Sequence, residues 1–425
     1  MNSFSSKRSA GLSLIEILIA LAIGSLLILA LVQVFAASRT AYQLSTGLAR
    51  TQENGRFAID ILQRDIRMAG HMGCVNDQSR FLPGNVTASR PALISTFLTA
   101  DQQFGSGSDP SAAITSDYAA APGSLRFDLG IEGFNAVETS SGDEVELVPL
   151  PNLAADGSAW QPALPAQLYA ALAAGGVGLP VQSSDIVILR FFSPTGAQVT
   201  SFTPGSTTVI DVDSMAHLVE GVANPGLFGI SDCMQAGVFN ATAVSGTRIS
   251  VATGGLNKST FDTTPQFTVG QAMVYRAESL VYYVGRNASG NPALYRLRYT
   301  ATPGGALVSA KEELVEGVES LQLQFGQDSN TSKTGRPTGN IGTSVVADAL
   351  VPSGAAGDYE HAWRRVGLVQ VGLVARSPDA AAASQRAAAT VRLSALGVVM
   401  TPPEDTRYRA VYENSVALRN RLFGN

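Results

Sequence analysis

The stretch Gly11-Leu12-Ser13-Leu14-Ile15-Glu16 opens the run LSLIEILIALAIGSLLILALVQVFAA, Leu12 to Ala37, and its reading decides the rest of the chain. Before it stands a short polar segment, MNSFSSKRSAG, with Lys7 and Arg8 as its cations. The run exceeds the roughly 20 apolar residues that carry a helix across a bilayer. After Glu16 it holds a dozen Leu, Ile and Val, which together favour insertion by roughly 4–7 kcal/mol. One span is expected, with Lys7 and Arg8 on the cytoplasmic side and the following chain outside the inner membrane.

Glu16 is the exception within this run. An acid in an apolar span is costly and points to function when a partner can be named. Cutting the chain after Gly11 supplies one: the new α-amine of Leu12 is a cation, and Glu16 of one subunit can pair with the Leu12 amine of its neighbour. The alternative is that Glu16 lies at the membrane edge and snorkels. A rival processing site follows Ala36, where Val34-Phe35-Ala36-Ala37 has the small residues of a signal-peptidase site. That cut would release a soluble periplasmic protein, but the run is longer than an ordinary signal peptide and Glu16 would have no role.

Composition narrows the remaining classes. Of 425 residues, 29 are Lys or Arg and 34 Asp or Glu, a net charge of −5. So acidic a chain has no electrostatic footprint for wrapping nucleic acid. Two cysteines, Cys74 and Cys233, exclude a disulfide-dense scaffold and a four-cysteine zinc site. With 45% hydrophobic residues the chain can bury a sizeable core.

Past Ala37 the pattern becomes amphipathic. Leu44, Leu48, Phe57, Ile61, Leu62 and Ile66 recur at three- and four-residue spacing, as one helix face does. Arg39, Arg50, Arg56, Arg64, Arg67, Glu53, Asp60 and Asp65 are assigned to the other faces, with Asp60 and Arg64 as an i,i+4 pair. Gly47 and Gly55 weaken this helix without ending it, and Gly70 stops it. Leu12 to Ala69 is therefore read as one helix of about 85 Å. The expected division is a leader at 1–11, a transmembrane half-helix at 12–37, its periplasmic half at 38–70, a variable Gly/Ser/Ala-rich insertion region at 71–180, and a β-rich domain at 181–425. Within 71–180, strands are expected at Leu125–Leu129 and Val145–Leu150, and a short helix ending near Gly175. Later strands are expected at 185–192, 207–212, 247–252, 272–286, 293–300, 318–326 and 364–377. Residues 327–362 read as a polar loop, and the tail from Asp405 is ambiguous between helix and strand. One long helix followed by antiparallel strands is an α+β arrangement.

The motif Gly11-Leu12-Ser13-Leu14-Ile15-Glu16 behind a basic leader resembles the class III signal of type IV pilins and type II secretion pseudopilins, with Leu12 where Phe is usual. Arg56-Phe57 followed by ILQRDIRMAGHMGC, then Ser231-Asp232-Cys233 with Phe239, then the tail RYRAVYENSVALRNR, resemble in that order the PilW family of pilus-assembly minor pilins. J-type pseudopilins share the tail pattern and are usually shorter. The resemblance implies a pilin-like fold and cleavage between Gly11 and Leu12 by prepilin peptidase, with N-methylation of Leu12. It places Glu16 in assembly and implies a minor-pilin complex that primes the pilus at its tip. The implied partners are other minor pilins, the major pilin, a large tip adhesin and inner-membrane lipid, and the implied outputs are adhesion and twitching motility. No direct nucleic-acid binding is expected.

On the oxidising side of the membrane Cys74 and Cys233 are expected to form a disulfide tying the helix end to the sheet. The alternative is two buried thiols. His71, His217 and His361 are scattered, and Asp211 with Asp213 is more cheaply a solvated strand end than a cation site. Tyr282, Tyr283, Tyr295 and Tyr299 read as sheet packing. With no nucleophile elbow, phosphate loop or zinc motif, the expectation is a non-enzyme without cofactor or metal.

Overall fold

The computed structural model describes residues 13–75, 93–104, 117–147, 157–261, 267–332, 337–350, 358–381, 392–418 and 420. The expected cleavage pair, Gly11 and Leu12, lies outside them, as does the end of the expected Val145–Leu150 strand.

Helix α1 (Leu14–Met68) runs 55 residues without a break, about 80 Å at 1.5 Å per residue. It starts with a reciprocal cap that the apolar pattern alone does not announce. The Ser13 hydroxyl accepts from the Ile15 amide at 3.4 Å, and Glu16 accepts from the Ser13 amide at 3.1 Å. Two of the amides that a helix start leaves open are thereby satisfied. Gly70, at φ +74°, stands just past the other end, where the left-handed conformation ends a helix cheaply.

The second half of α1 is buried along Gly47, Thr51, Gly55, Ala58, Leu62, Asp65 and Ile66. The three- and four-residue steps are those expected, but the residues differ. Leu44 and Phe57, expected on the buried face, are 39% and 55% exposed. Small residues take their place because the helix lies very close to its neighbours. A Cβ added at Gly55 would fall 2.2 Å from the Tyr412 ring, and one at Gly47 would fall 2.5 Å from Ala381. Asp65, expected on a solvated face, is buried, and Arg64 binds it at 3.0 Å in place of the expected Asp60 partner.

The principal strands are β1 (Ile131–Ala136), β2 (Ile186–Thr203), β3 (Leu227–Asp232), β4 (Gln235–Asn240), β5 (Met273–Arg286), β6 (Pro292–Thr300), β7 (Val308–Glu316), β8 (Val318–Asp328), β9 (Ile341–Val345), β10 (Val366–Arg376) and β11 (Arg409–Ala417). Strand β5 is the axis of the larger sheet, antiparallel to β2, β3 and β6. Strand β1 extends this sheet from β2, and β7 from β6. A second antiparallel sheet has the order β9-β8-β10-β11. Ala58, Leu62 and Ile66 of α1 share one core with Val187, Leu280, Leu321 and Val371. The far end of the larger sheet has its own aromatic core around Phe228, Phe239, Phe261 and Phe267. The architecture is α+β, one long helix against predominantly antiparallel sheets.

Several expectations change in detail. The segment expected as the strand Leu125–Leu129 is a short 3-10 helix, Gly123–Leu125, followed by a turn. Leu125, Phe127 and Leu129 are buried as an alternating strand would have them. Arg126 and Asp128, which would face solvent in a strand, bind each other through two 2.8 Å contacts instead. The expected loop 327–362 contains β9 and a helix, Asp358–Arg364, whose Trp363 packs edge-on against Phe325 at 4.9 Å. The ambiguous tail resolves as β11. Within the region expected to be insertion, β1 enters the larger sheet and Leu129 and Ile131 enter the main core.

Asp185, just before β2, joins the two sheets. Its carboxyl accepts from the Ala136 amide at 2.8 Å and from the Leu323 amide of β8 at 2.7 Å. Burial pushes it up to about 7, against the backbone amides that favour the ionised form. The Thr139 hydroxyl, 2.6 Å from Ala136 O and 3.3 Å from Asp185 Oδ1, also opposes burial where it donates to the carboxyl. Between its ordinary value of 3.8 and about 7 the folded chain holds a proton that the unfolded chain has released. The contribution of this group to stability therefore falls as pH rises through that window and is flat above it. Asp185→Asn is expected to lower stability by about 1–3 kcal/mol, because its amide nitrogen faces a backbone N–H. It should also remove this part of the pH slope. Urea denaturation at a series of pH values tests both; an unchanged slope would assign it to other groups.

Candidate functional site

The apolar half of α1 is the first candidate. Its most apolar window of 18 residues has nothing packed on it, so about a dozen large aliphatic side chains face outward all round the helix. A helix apolar on every face needs lipid or other helices around it. At its start Glu16 is held by the Ser13 amide, so the acid that stood out in the sequence has a partner within its own chain.

The second half of α1 is seated by polar groups as well as by the small-residue stripe. Buried Asp65 accepts from the hydroxyl of Tyr282, at the centre of β5. Arg296 of β6 approaches the same carboxylate at 3.7 Å. Burial, then the Asp65 charge, hold the Tyr282 proton far above its ordinary range. Along the helix, Asn54 donates to Glu316 O at 2.9 Å and Tyr412 to Thr51 O at 3.3 Å, while Gln63 lies between Asn414 and Arg67. Tyr412 and Asn414 belong to the tail on which the family resemblance partly rested, and here they touch the stem.

Beside this seat is an open groove of about 820 Å³ between the end of α1 and strands β2, β5 and β6. Arg64, Arg67, Arg276 and Arg298 line it with Asp60 and Glu278. Glu278 is buried and paired with Arg276 and, at 3.6 Å, with Arg298. Guanidiniums thus neutralise both buried acids of the groove, Asp65 and Glu278.

Cys74 and Cys233 form a disulfide, with Cα atoms 4.8 Å apart, and both residues are exposed. The bond joins the chain just past α1 to the turn between β3 and β4. Asp232 organises that turn, accepting from the amides of Met234 and Gln235 at 3.0 Å each.

The remaining sequence candidates are engaged locally. His71 Nδ1 meets Phe192 O at 2.9 Å, and His361 Nε2 meets Thr331 O at 3.0 Å. His217 lies exposed on a short helix. Asp211 is bound by Arg248 at 2.8 Å, and Asp213 accepts from the Gln198 amide at 2.9 Å. Tyr283 and Tyr295 stack at 5.7 Å inside the sheet. Among the described residues, no three His, Cys, Asp or Glu side chains gather as a metal site. The sequence placed Asp65 on another helix face, read Tyr282 only as sheet packing and did not single out Arg296, although Asp65 follows Leu62 by the same three-residue step that marks the buried stripe.

Comparison with known proteins gives two matches. Residues 281–420 match the family described as Type IV Pilus-assembly protein W, and residues 6–32 match the Prokaryotic N-terminal methylation motif. No curated protein and no solved structure matches the chain. The first match spans β6 to β11, including the strand that seats α1; the second contains Gly11, Leu12 and Glu16. The family resemblance and the class III signal read from the sequence are thus both found.

Tyr282→Phe is expected to destabilise the chain by about 1–3 kcal/mol, since it strips buried Asp65 of its neutral donor. An unchanged denaturation midpoint would mean that α1 is seated by packing alone. The disulfide closes a separation of 159 residues, which the chain-entropy account values at about 5 kcal/mol. Cys74→Ser with Cys233→Ser should lower the midpoint accordingly, and addition of a reductant should have no further effect on that variant.

Proposed function

We propose that this chain is a minor pilin of the type IV pilus. The observation that carries the reading is one unbroken helix with two roles. Its amino-terminal half is apolar and bare beneath a prepilin-type methylation motif. Its carboxy-terminal half is seated on a β domain similar to Type IV Pilus-assembly protein W.

In this reading prepilin peptidase cuts between Gly11 and Leu12 and methylates the Leu12 amine. The bare half of α1 then waits in the inner membrane, amino terminus cytoplasmic and β domain periplasmic. Assembly moves it from lipid into a bundle of like helices formed with other minor pilins and the major pilin. Glu16 sets the register there by pairing with the Leu12 amine of a neighbour. Leaving an acid unpaired in an apolar bundle costs several kcal/mol, so misregistered packing is rejected. The Ser13 amide holds the Glu16 carboxylate until that exchange. The complex primes the fibre, lies at its tip with a large adhesin, and serves attachment and twitching motility at the cell surface. The role is structural, not catalytic.

A J-type pseudopilin of type II secretion would use the same stem, and loss of the chain separates the two: lost pili against lost secretion. For a soluble protein released after Ala36, the cut would have to fall inside continuous helix, since α1 runs through Ala36 and Ala37.

The first experiment is the intact mass and amino-terminal residue of the membrane-extracted protein. N-methylated Leu12 is expected, and a start at Ala37 in a soluble fraction would remove the pilin reading. Glu16→Ala should leave insertion and cleavage normal and abolish piliation. Normal piliation in that variant would end the register role.

A further inference from the structure

Between its apolar half and its seat, α1 passes through a stretch that belongs to neither. The apolar run ends at Ala37, and Gly47 is the first buried residue of the helix. Arg39 and Tyr42 stand between them, both exposed, Tyr42 at 73%. Neither side chain makes a hydrogen bond or ion pair among the described residues. Three residues apart, they share one side of the helix. The seat on the β domain starts about 12 Å beyond Arg39, so the described domain gives this cation no counter-charge.

Glu16 and Arg39 bracket the apolar half. The residues between them, Ile17 to Ser38, carry no charge, and the helix is unbroken across them. At 1.5 Å per residue the two charged residues stand about 35 Å apart. The hydrocarbon core of a bilayer is roughly 30 Å thick, and each headgroup layer adds about 5–7 Å. At the average tilt of about 20° the pair still spans about 33 Å, so both charges clear the hydrocarbon at once. An acid inside hydrocarbon is costly, which sets Glu16 at one boundary. Arg39 then lies at the opposite boundary, and Tyr42, about 4–5 Å further along the helix, lies within the headgroup layer.

The geometry points to a headgroup-binding pair at Arg39 and Tyr42, whose partner is the phosphate of a membrane lipid. The planar fork of Arg39 donates two parallel bonds to phosphate oxygens. The Tyr42 ring lies beside it among the headgroups with its hydroxyl toward water, the place where amphipathic rings gather. Resting on the membrane-anchored stem of the proposed function, the pair fixes the depth at which α1 waits in lipid, and with it the height of the β domain above the membrane. The contact is given up when the stem leaves lipid for the fibre.

The test uses the full chain in phosphatidylcholine vesicles, in buffer free of other phosphate. Arginine carries carbon-13 at its guanidinium carbon and tyrosine at its phenol carbon, and solid-state NMR reads their dephasing by lipid phosphorus. A bidentate pair brings the guanidinium carbon within about 5 Å of phosphorus. A dephased guanidinium resonance that disappears in Arg39→Gln is expected, as is a weaker dephased tyrosine resonance that disappears in Tyr42→Phe. Gln is as good a helix former as Arg, and neither residue touches the β domain, so both variants should melt as wild type does. An inserted chain whose dephased guanidinium resonances are absent, or are the same in Arg39→Gln as in wild type, would overturn the site. An undephased Tyr42 would remove that residue from it. A chain that does not stay in the vesicles would overturn the site together with the membrane-anchored reading.

Discussion

The close approach of α1 to β11 is the constraint on which the rest of the structure depends. A helix can lie this near a strand only if its inner face is almost bare, and Gly47, Thr51, Gly55 and Ala58 provide that face. Glycine within a helix costs about 1 kcal/mol against alanine. Here that cost is offset by contact between the Tyr412 ring and the helix backbone, which any side chain at residue 55 would block. Further along the same stripe Asp65, only 6% exposed, is met by Tyr282, Arg296 and Arg64.

Much of the architecture was legible in the sequence because it depends on strong, local patterns. A long apolar run and three- and four-residue periodicity place α1 within two residues of its observed ends. β-branched runs locate β2, β5, β6, β8 and β10. The misreadings have one origin: periodicity shows which face is buried but not how near the neighbour comes. Large apolar residues such as Phe57 were therefore assigned to an interface built from small ones, and Asp65 was assigned to solvent by its charge. Leu125, Phe127 and Leu129 alternate as a strand should, yet Arg126 and Asp128 close on each other and turn the chain. The bonds of Asp185, and those of Glu319 to Arg376 and Arg409, are long-range features. Their partners stand 49 to 138 residues away, on other strands or beside them, and nothing in local spacing announces them.

The two sheets share the apolar core that also holds the helix, with Val187 and Leu280 on one side and Leu321 and Val371 on the other. Hydrogen bonds add direction to that area: Asp185 ties β1 to β8 through two backbone amides, which leaves this junction sensitive to protonation.

The disulfide has a mechanical consequence. Contacts from Gly47 to Ile66 run along one stripe of α1, so an axial pull on the helix loads them together, in shear, instead of peeling them one by one. Past Met68 the first covalent cross-link in the chain's path is Cys74–Cys233, only six residues beyond the helix. Tension that passes the stripe is therefore diverted sideways into β3 and β4, and through β3 to β5, before it can draw out the chain beyond residue 74.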